Sequence, residues 1–316
     1  MLYKNTFKLM FSNANLIWKL MLYFLIAFLI IIGMAIAVAL PIIEVLISEG
    51  FFESISETYF DFISSLNLKV LFENIATLMS NFLDIIVNNV DSLIVYIVLF
   101  MFVITILGGL IINFYAYPTN SVVNFYMNSN VKQGFMTNFF VTIKNNIKYS
   151  LVYLITLLPI NVGILTLLIN SFKLFRLNGI LLAFSPFIII IGFTLLNSLK
   201  MTLFCGWIPA MVTQNKGVFA GLKNGFIVAK RRFLQTFGNS IALTVTLIFL
   251  NVFGGLCTFG VALLLTIPTS FLISNIFNMV AYYTAIGQRF YVDSFNVIAP
   301  KTMEHTEKIR NQKHFI

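Results

Sequence analysis

The chain is short of almost everything that equips a soluble enzyme. Its 316 residues include two cysteines, two histidines and eleven carboxylates, and charged residues make up 10% of the whole, against about one-quarter in an ordinary globular domain. Cys205 and Cys257 both fall in apolar surroundings, which excludes a disulfide framework or a thiolate metal site and leaves packing as their role. Both histidines, His305 and His314, stand near the C-terminus, so no His/Cys/Asp cluster has metal-ligand spacing. There is no Gly-x-x-x-x-Gly-Lys phosphate loop and no Gly-x-Ser-x-Gly elbow. The long apolar runs contain no acid and no histidine, which argues against catalysis or proton coupling inside a bilayer, Glu44 at an outer edge excepted. The expectation is a non-enzyme with no catalytic residue, cofactor or metal.

What the chain has in abundance is apolar surface: 59% apolar residues, 35 phenylalanines and a mean hydropathy of +0.94 describe an integral membrane protein. The wealth of Phe, Ile, Leu and Asn fits an AT-rich bacterial genome and hence a bacterial plasma membrane. A net charge of +9 would point to nucleic acid if the cations formed a patch on a soluble fold. Here they flank apolar segments, so topology explains them and no nucleic-acid partner is expected.

A bilayer core takes about 20 helical residues to cross. The uncharged runs predict six spans, at about 20–40, 93–114, 149–170, 179–204, 238–254 and 259–283, in a membrane domain over 1–288 followed by a polar cytosolic tail, 289–316. Trp18 anchors the entry to the first span. A signal-peptide reading fits Ala35-Ile36-Ala37 and Ala37-Val38-Ala39, but the apolar run continues through Pro41 to Ile47, and small residues equally serve helix packing. Between the first two spans lies an acidic insertion, 48–91, where Glu49, Glu53, Glu57, Asp61, Glu73, Asp84 and Asp91 outweigh Lys69. Leu71, Ile75, Leu78, Phe82 and Ile86 recur there at helical spacing and predict amphipathic helices outside the membrane. Glu49, Glu53, Glu57 and Asp61 make a solvated face with no calcium-loop spacing.

Aromatic stops at Tyr115-Ala116-Tyr117-Pro118 and Trp207-Ile208-Pro209 mark span ends. Pro159 with Gly163, Pro186, and Pro268 are expected to interrupt spans three, four and six. The turn between spans five and six is expected at Asn251-Val252-Phe253-Gly254-Gly255. Lys200, near a span end, is expected to snorkel to the interface. With both termini in the cytosol, all of the 20 Lys and Arg except Lys69, Lys173 and Arg176 fall inside, as the positive-inside rule requires.

A threefold pattern underlies this order: basic amphipathic segment, span, outer loop, returning span with an aromatic end, over roughly 4–117, 132–209 and 216–292. Lys132-Gln133-Gly134-Phe135 answers Lys216-Gly217-Val218-Phe219, and Tyr117-Pro118 answers Trp207-Ile208-Pro209. The fold class expected is therefore all-α: a polytopic bundle of three hairpins, each introduced by a basic interfacial helix. In the strongest of these, Lys216, Lys223 and Lys230 recur every seven residues, and so do Phe219, Phe226 and Phe233. With Arg231 and Arg232 they make a surface for anionic membrane lipid or for a membrane-protein partner. The bland alternative is a topology signal whose apolar face packs on the bundle.

Trp207, Pro209, Gly221, Ala229, Lys230 and Phe233, set in the order span, Pro, interfacial helix, span, resemble the six-span membrane domain of bacterial membrane-attached glycerophosphodiester phosphodiesterases and its stand-alone relatives. The resemblance covers the last two units. It implies a membrane scaffold and, since no catalytic domain of that kind accompanies it, no phosphodiesterase activity.

Neutral polar residues remain within the runs, notably Asn161, Asn197, Asn275 and Asn278, besides Asn170, Asn239 and Asn251. Asn commonly bonds between helices, and with proline-broken spans it also lines transport sites. Two functions follow: a non-catalytic scaffold or accessory subunit on anionic lipid, or a small-solute or lipid transporter.

Overall fold

The computed structural model describes residues 2–65, 67–175 and 179–299. Most of the 289–316 tail, with both histidines, lies outside the described residues, as do Arg176 and the side chains of Lys69, Glu73, Lys173 and Pro186. Helices α1 (Leu2–Ser12), α2 (Asn15–Ser48), α3 (Phe51–Ser65), α4 (Leu68–Asn88) and α5 (Val90–Phe102) are followed by a π-helical turn, Val103–Gly108, and α6 (Gly109–Asn113). Then come α7 (Ala116–Ser129), α8 (Phe135–Val141), α9 (Ile143–Phe175), α10 (Gly179–Phe204), α11 (Trp207–Gln214), α12 (Val218–Arg231), α13 (Phe233–Cys257) and α14 (Leu263–Ile286). Among the described residues the one sheet is an antiparallel hairpin, β1 (Phe290–Tyr291) with β2 (Val297–Ile298).

Six stretches are long and apolar enough to cross a membrane: Asn15–Ser48, Val90–Ser129, Ile143–Leu168, Phe187–Gln214, Phe233–Cys257 and Leu263–Ile286. Their outward side chains are the most apolar on the molecule, Leu29, Ile155, Ile191 and Phe249 all being more than half exposed. Water does not tolerate such a surface and lipid does. The protein is a multi-pass integral membrane protein with an all-α fold.

Proline does not break these spans. Helices α9 and α14 run unbroken through Pro159 and Pro268, as α2 does through Pro41. One ladder bond is lost at each, but in an apolar medium ending the helix would strand several more backbone groups. The same economy moves the turn between α13 and α14. Helix α13 continues through Gly254 and Gly255 to Cys257, and the chain reverses at Phe259 and Gly260, which take φ of +51° and +89°. The two earlier glycines serve packing, since a Cβ on Gly254 would stand 3.3 Å from the Thr266 side chain of α14. Asn251 bonds Ser270 across the same helix pair at 2.8 Å.

The chain divides into two compact units, Ile26–Ile111 and Met1–Leu25 with Ile112–Ile316. In the first, Gly50 (φ +69°) turns the chain from α2 into α3, and α3 packs along α4 with Phe51 against Phe82 at 5.5 Å. Glu49, Glu53, Glu57 and Asp61 are exposed.

The second unit holds the main core, which gathers at the end carrying α1 and the hairpin. The returning span helices break at their aromatic signals, but the chain there turns into a further helix instead of a loop. After a break at Phe114-Tyr115 the chain folds into α7, and after Cys205-Gly206 into α11. Both put proline in the first turn, Pro118 and Pro209, where the missing N–H costs nothing. Each ends on a left-handed asparagine, Asn130 (φ +56°) or Asn215 (φ +51°), and α14 ends likewise on Gly287 (φ +73°). A base follows each cap, in turn Lys132, Lys216 and Arg289. Helices α7, α11 and α14 pack on one another and bury Tyr126, Met127, Trp207, Phe277, Tyr282 and Tyr283.

Around this knot α7 lies against α8, α11 against α12, and α14 against α1. The third junction, which the chain does not make covalently, is made in space. Helices α12, α1 and α8 each also reach the first span of the preceding repeat: α12 on α9, α1 on α13, and α8 on α2 through Phe139 and Tyr23, 6.1 Å apart. The start of the tail is ordered, not loose: Phe290 and Val292 point to one side of β1 and are buried, and Ser12 Oγ donates to the Val292 carbonyl at 3.1 Å.

Candidate functional site: a polar cavity among the spans

Three helices carry polar stripes at helical spacing. On α9 these are Tyr149 and Tyr153, with Leu157 a turn further; on α10, Asn197 and Lys200 with Met201 and Phe204; on α14, Ser274, Asn275 and Asn278 with Phe271. The fold turns all three toward one cavity of about 240 Å³, completed by Asn113, Tyr115, Ala116 and Ile208. Its position follows from the knot beneath it. Trp207 packs edge-on against Tyr149 at 5.4 Å and tilted against Tyr153 and Phe204 at 5.8 and 6.0 Å, behind these three lining side chains.

Asn275 is buried and fully engaged. Its Nδ2 donates to the Phe271 carbonyl at 2.8 Å and to the Tyr115 hydroxyl at 3.3 Å, and its Oδ1 accepts from Asn120 Nδ2. It is a structural joint between α14 and α7, as an interhelical asparagine often is. Asn278, one turn on, has a buried Oδ1 with no protein partner. Such an atom in a cavity wall is uncompensated until something enters. Asn146 Oδ1 and Ser150 Oγ, on α9 near Tyr149, are buried without a partner as well.

Lys200 is the charged residue of the cavity. It does not snorkel: its Nζ donates to Asn161 Oδ1 on α9 at 2.9 Å. Lys200 sits one turn inside the end of α10, whereas Asn161 lies two turns beyond Tyr153, which is level with Trp207. The amine is therefore drawn inward along the span. The opposite side of α10 carries a ladder of small residues to α13, with Ser198 Oγ to Thr244 Oγ1 at 3.0 Å and Thr202 Oγ1 with Ser240 Oγ at 2.9 Å. That ladder fixes the rotation of α10 and so aims Asn197 and Lys200 at the cavity.

The four asparagines singled out by sequence thus come to one place: Asn197, Asn275 and Asn278 in the wall, Asn161 through Lys200. Lys200 was expected at the interface, and Tyr149 and Tyr153 had no expected role. The i, i+4 pair Tyr149/Tyr153 and the i, i+3 pair Asn197/Lys200 were the available signals.

The basic surface is disposed differently. Lys216, Lys223, Lys230, Arg231 and Arg232 are all exposed. The three phenylalanines do not share a face, because α12 ends at Arg231 and Arg232 breaks the heptad. Phe219 is exposed, Phe226 packs on the cavity residue Phe204 at 5.2 Å, and Phe233 stacks on Phe237 within α13 at 5.7 Å. The buried face of α12 is made of Gly221, Gly225, Val228 and Ala229 instead. A Cβ on Gly225 would fall 2.7 Å from Trp207 N, so only glycine lets α12 lie against the start of α11. Trp207 Nε1 donates to the Val218 carbonyl at 3.0 Å and pins the pair. One wall of the cavity and the basic helix therefore share the contact Phe204–Phe226.

No protein-family model, curated protein or solved structure matches the chain.

Proposed function

We propose that the protein is a non-catalytic membrane binding protein or carrier that receives a small polar solute, or the head of an amphiphile, in the cavity between α9, α10 and α14. One observation carries the reading: three separate spans converge their polar stripes on a single cavity holding a lysine and an asparagine oxygen without a protein partner. A bundle selected for packing alone fills such a space with apolar side chains. At about 240 Å³ the space suits a head group rather than a whole lipid. Ligand entry in this reading uses intact helices and the cavity between them, not proline-broken segments.

The scaffold reading keeps its own support in the five exposed cations Lys216, Lys223, Lys230, Arg231 and Arg232, which suit an anionic lipid surface or a membrane-protein partner. The two are compatible, with α12 as the surface and the cavity as the site. We place the protein in a bacterial cytoplasmic membrane, with the basic end and both termini in the cytosol, on the distribution of Lys and Arg. The resemblance to phosphodiesterase-attached membrane domains implies a membrane scaffold without hydrolysis.

The cavity reading is tested by native mass spectrometry of protein released from membranes. A retained small-molecule or lipid adduct is expected, and it should fall at least tenfold in the double variant Asn197→Leu/Asn278→Leu. An adduct equally retained by that variant, or none in either protein, would leave the scaffold as the function.

A further inference from the structure

We infer that the group received by this cavity is an anion, a phosphate or carboxylate seated against Lys200; the inference rests on the binding role proposed above and names its ligand class. The argument is one of charge balance. An ammonium held between membrane helices is costly unless a counter-charge accompanies it, which is why such residues pair or face water. Among the described residues the hydrogen-bond acceptor of Lys200 is the neutral Asn161 Oδ1, in an exposed contact between α10 and α9. Among the described residues Lys200 has no ion pair, and the sequence holds no aspartate or glutamate between Asp91 and Asp293, the stretch that supplies every residue lining the cavity. Every helix lining the cavity is free of acid along its whole length. The helices that form the cavity therefore place a cation in it with no counter-charge of their own.

The rest of the lining agrees. Asn197, Tyr149 and Tyr153 carry N–H or O–H groups suited to anionic oxygens, whereas the unpartnered Asn278 Oδ1 suits a hydroxyl or N–H on the same ligand, and the bases flanking Asn130, Asn215 and Gly287 add positive charge at that end of the bundle. The same chemistry is offered by a lipid phosphate and by a soluble anion, and the test separates them.

Purified full-length protein in neutral detergent is titrated with phosphatidylglycerol, with phosphatidylcholine, with diacylglycerol, and separately with inorganic phosphate and with succinate, following binding by native mass spectrometry and the thermal midpoint. Expected is saturable binding of an anionic probe, at least tenfold tighter than of diacylglycerol. Binding should be lost by tenfold or more in Lys200→Gln and largely retained in Lys200→Arg, and the Lys223→Gln/Lys230→Gln double variant of α12 separates surface binding from cavity binding. Saturation by phosphatidylglycerol alone assigns a lipid source, and saturation by phosphate or succinate a soluble one. If diacylglycerol binds as tightly and Lys200→Gln does not matter, the cavity is a site but not an anion site. Loss in the α12 double variant instead places the anion on the surface and overturns the inference. Should Lys200→Gln not fold, Asn278→Leu and Lys200→Arg decide: an anion affinity unmoved by both rejects the site. No binding of any probe, together with an adduct indifferent to Asn197→Leu/Asn278→Leu, removes the proposed role as well.

Discussion

Gly225 shows how much one hydrogen atom can decide. It meets Gly206 where α11 leaves α10, and a methyl group on either would lie 2.7 Å from the other's backbone or its neighbour's. Backbone cannot give as a flexible side chain does, so Gly225→Ala should lower stability by about 2 kcal/mol. The measure is the thermal midpoint in detergent. Gly238, in the first turns of α13, has nothing within 4 Å of its would-be Cβ. There Ala replaces a flexible helical glycine in open space, and Gly238→Ala should raise stability by about 0.5–1 kcal/mol. A fall in both would mean that helix α13 is packed more tightly than its surroundings indicate. Cys205 and Cys257 are both free, the first buried and the second exposed, so only Cys257 should react with a thiol reagent in the folded protein.

Among the elements, the terminal hairpin depends on one carboxylate. Asp293 accepts from the Asn296 side chain and from the backbone N–H groups of Phe295 and Asn296, which hold its carboxyl below the ordinary value of 3.8. A depressed value means that the stabilisation is present above the ordinary carboxylate value and is lost as the pH falls below it. Amide protection in 290–298, taken relative to the intrinsic exchange rate at each pH, should therefore fall below about pH 4, and Asp293→Asn should flatten that dependence. The hairpin carries buried Phe290 and Val292 into the core beside α7, so its loosening should be felt at the α1 end of the bundle as well. The ladder Ser198, Thr202, Ser240 and Thr244 is the element-scale device nearest the cavity. Ser240→Ala should cost only about 0.6 kcal/mol, the usual worth of a membrane hydrogen bond, whereas a bulky Ser240→Leu should displace α10 and abolish ligand retention.

For the whole molecule, the proposed orientation makes a sharp prediction. In a background with both native cysteines replaced, cysteine at position 223 should be labelled only from the cytosolic side and cysteine at position 56, on α3, only from the outside. The reverse would overturn the topology and the positive-inside argument together. The second unit also has a ring of three junctions, α7 with α8, α11 with α12, α14 with α1, in which the last closes without a peptide link. Removing residues 1–12 should therefore open a junction between the third repeat and the first, and lower the thermal midpoint more than trimming residues 301–316 does.

What the sequence determined alone was whatever is a local sum. Apolar length and charge located six spans, because crossing hydrocarbon demands a long helix wherever enough apolar residues follow one another. The acidic helices, the three interfacial segments and the aromatic stops at Tyr115 and Trp207 were legible for the same reason. Proline and glycine misled, since their breaking tendency is measured against water and a membrane helix ends only where its backbone can be satisfied. The helices α7 and α11 were missed because no apolar run announces them; their stability comes from packing in the knot. The cavity belongs wholly to the tertiary structure. Tyr149, Asn197, Lys200, Asn275 and Asn278 stand on three helices, and whether their stripes meet depends on rotation and register, which the α10–α13 ladder and Trp207 set from outside each stripe. The lack of acid from Asp91 to Asp293 was in plain view, but it acquired meaning only when the fold turned Lys200 inward.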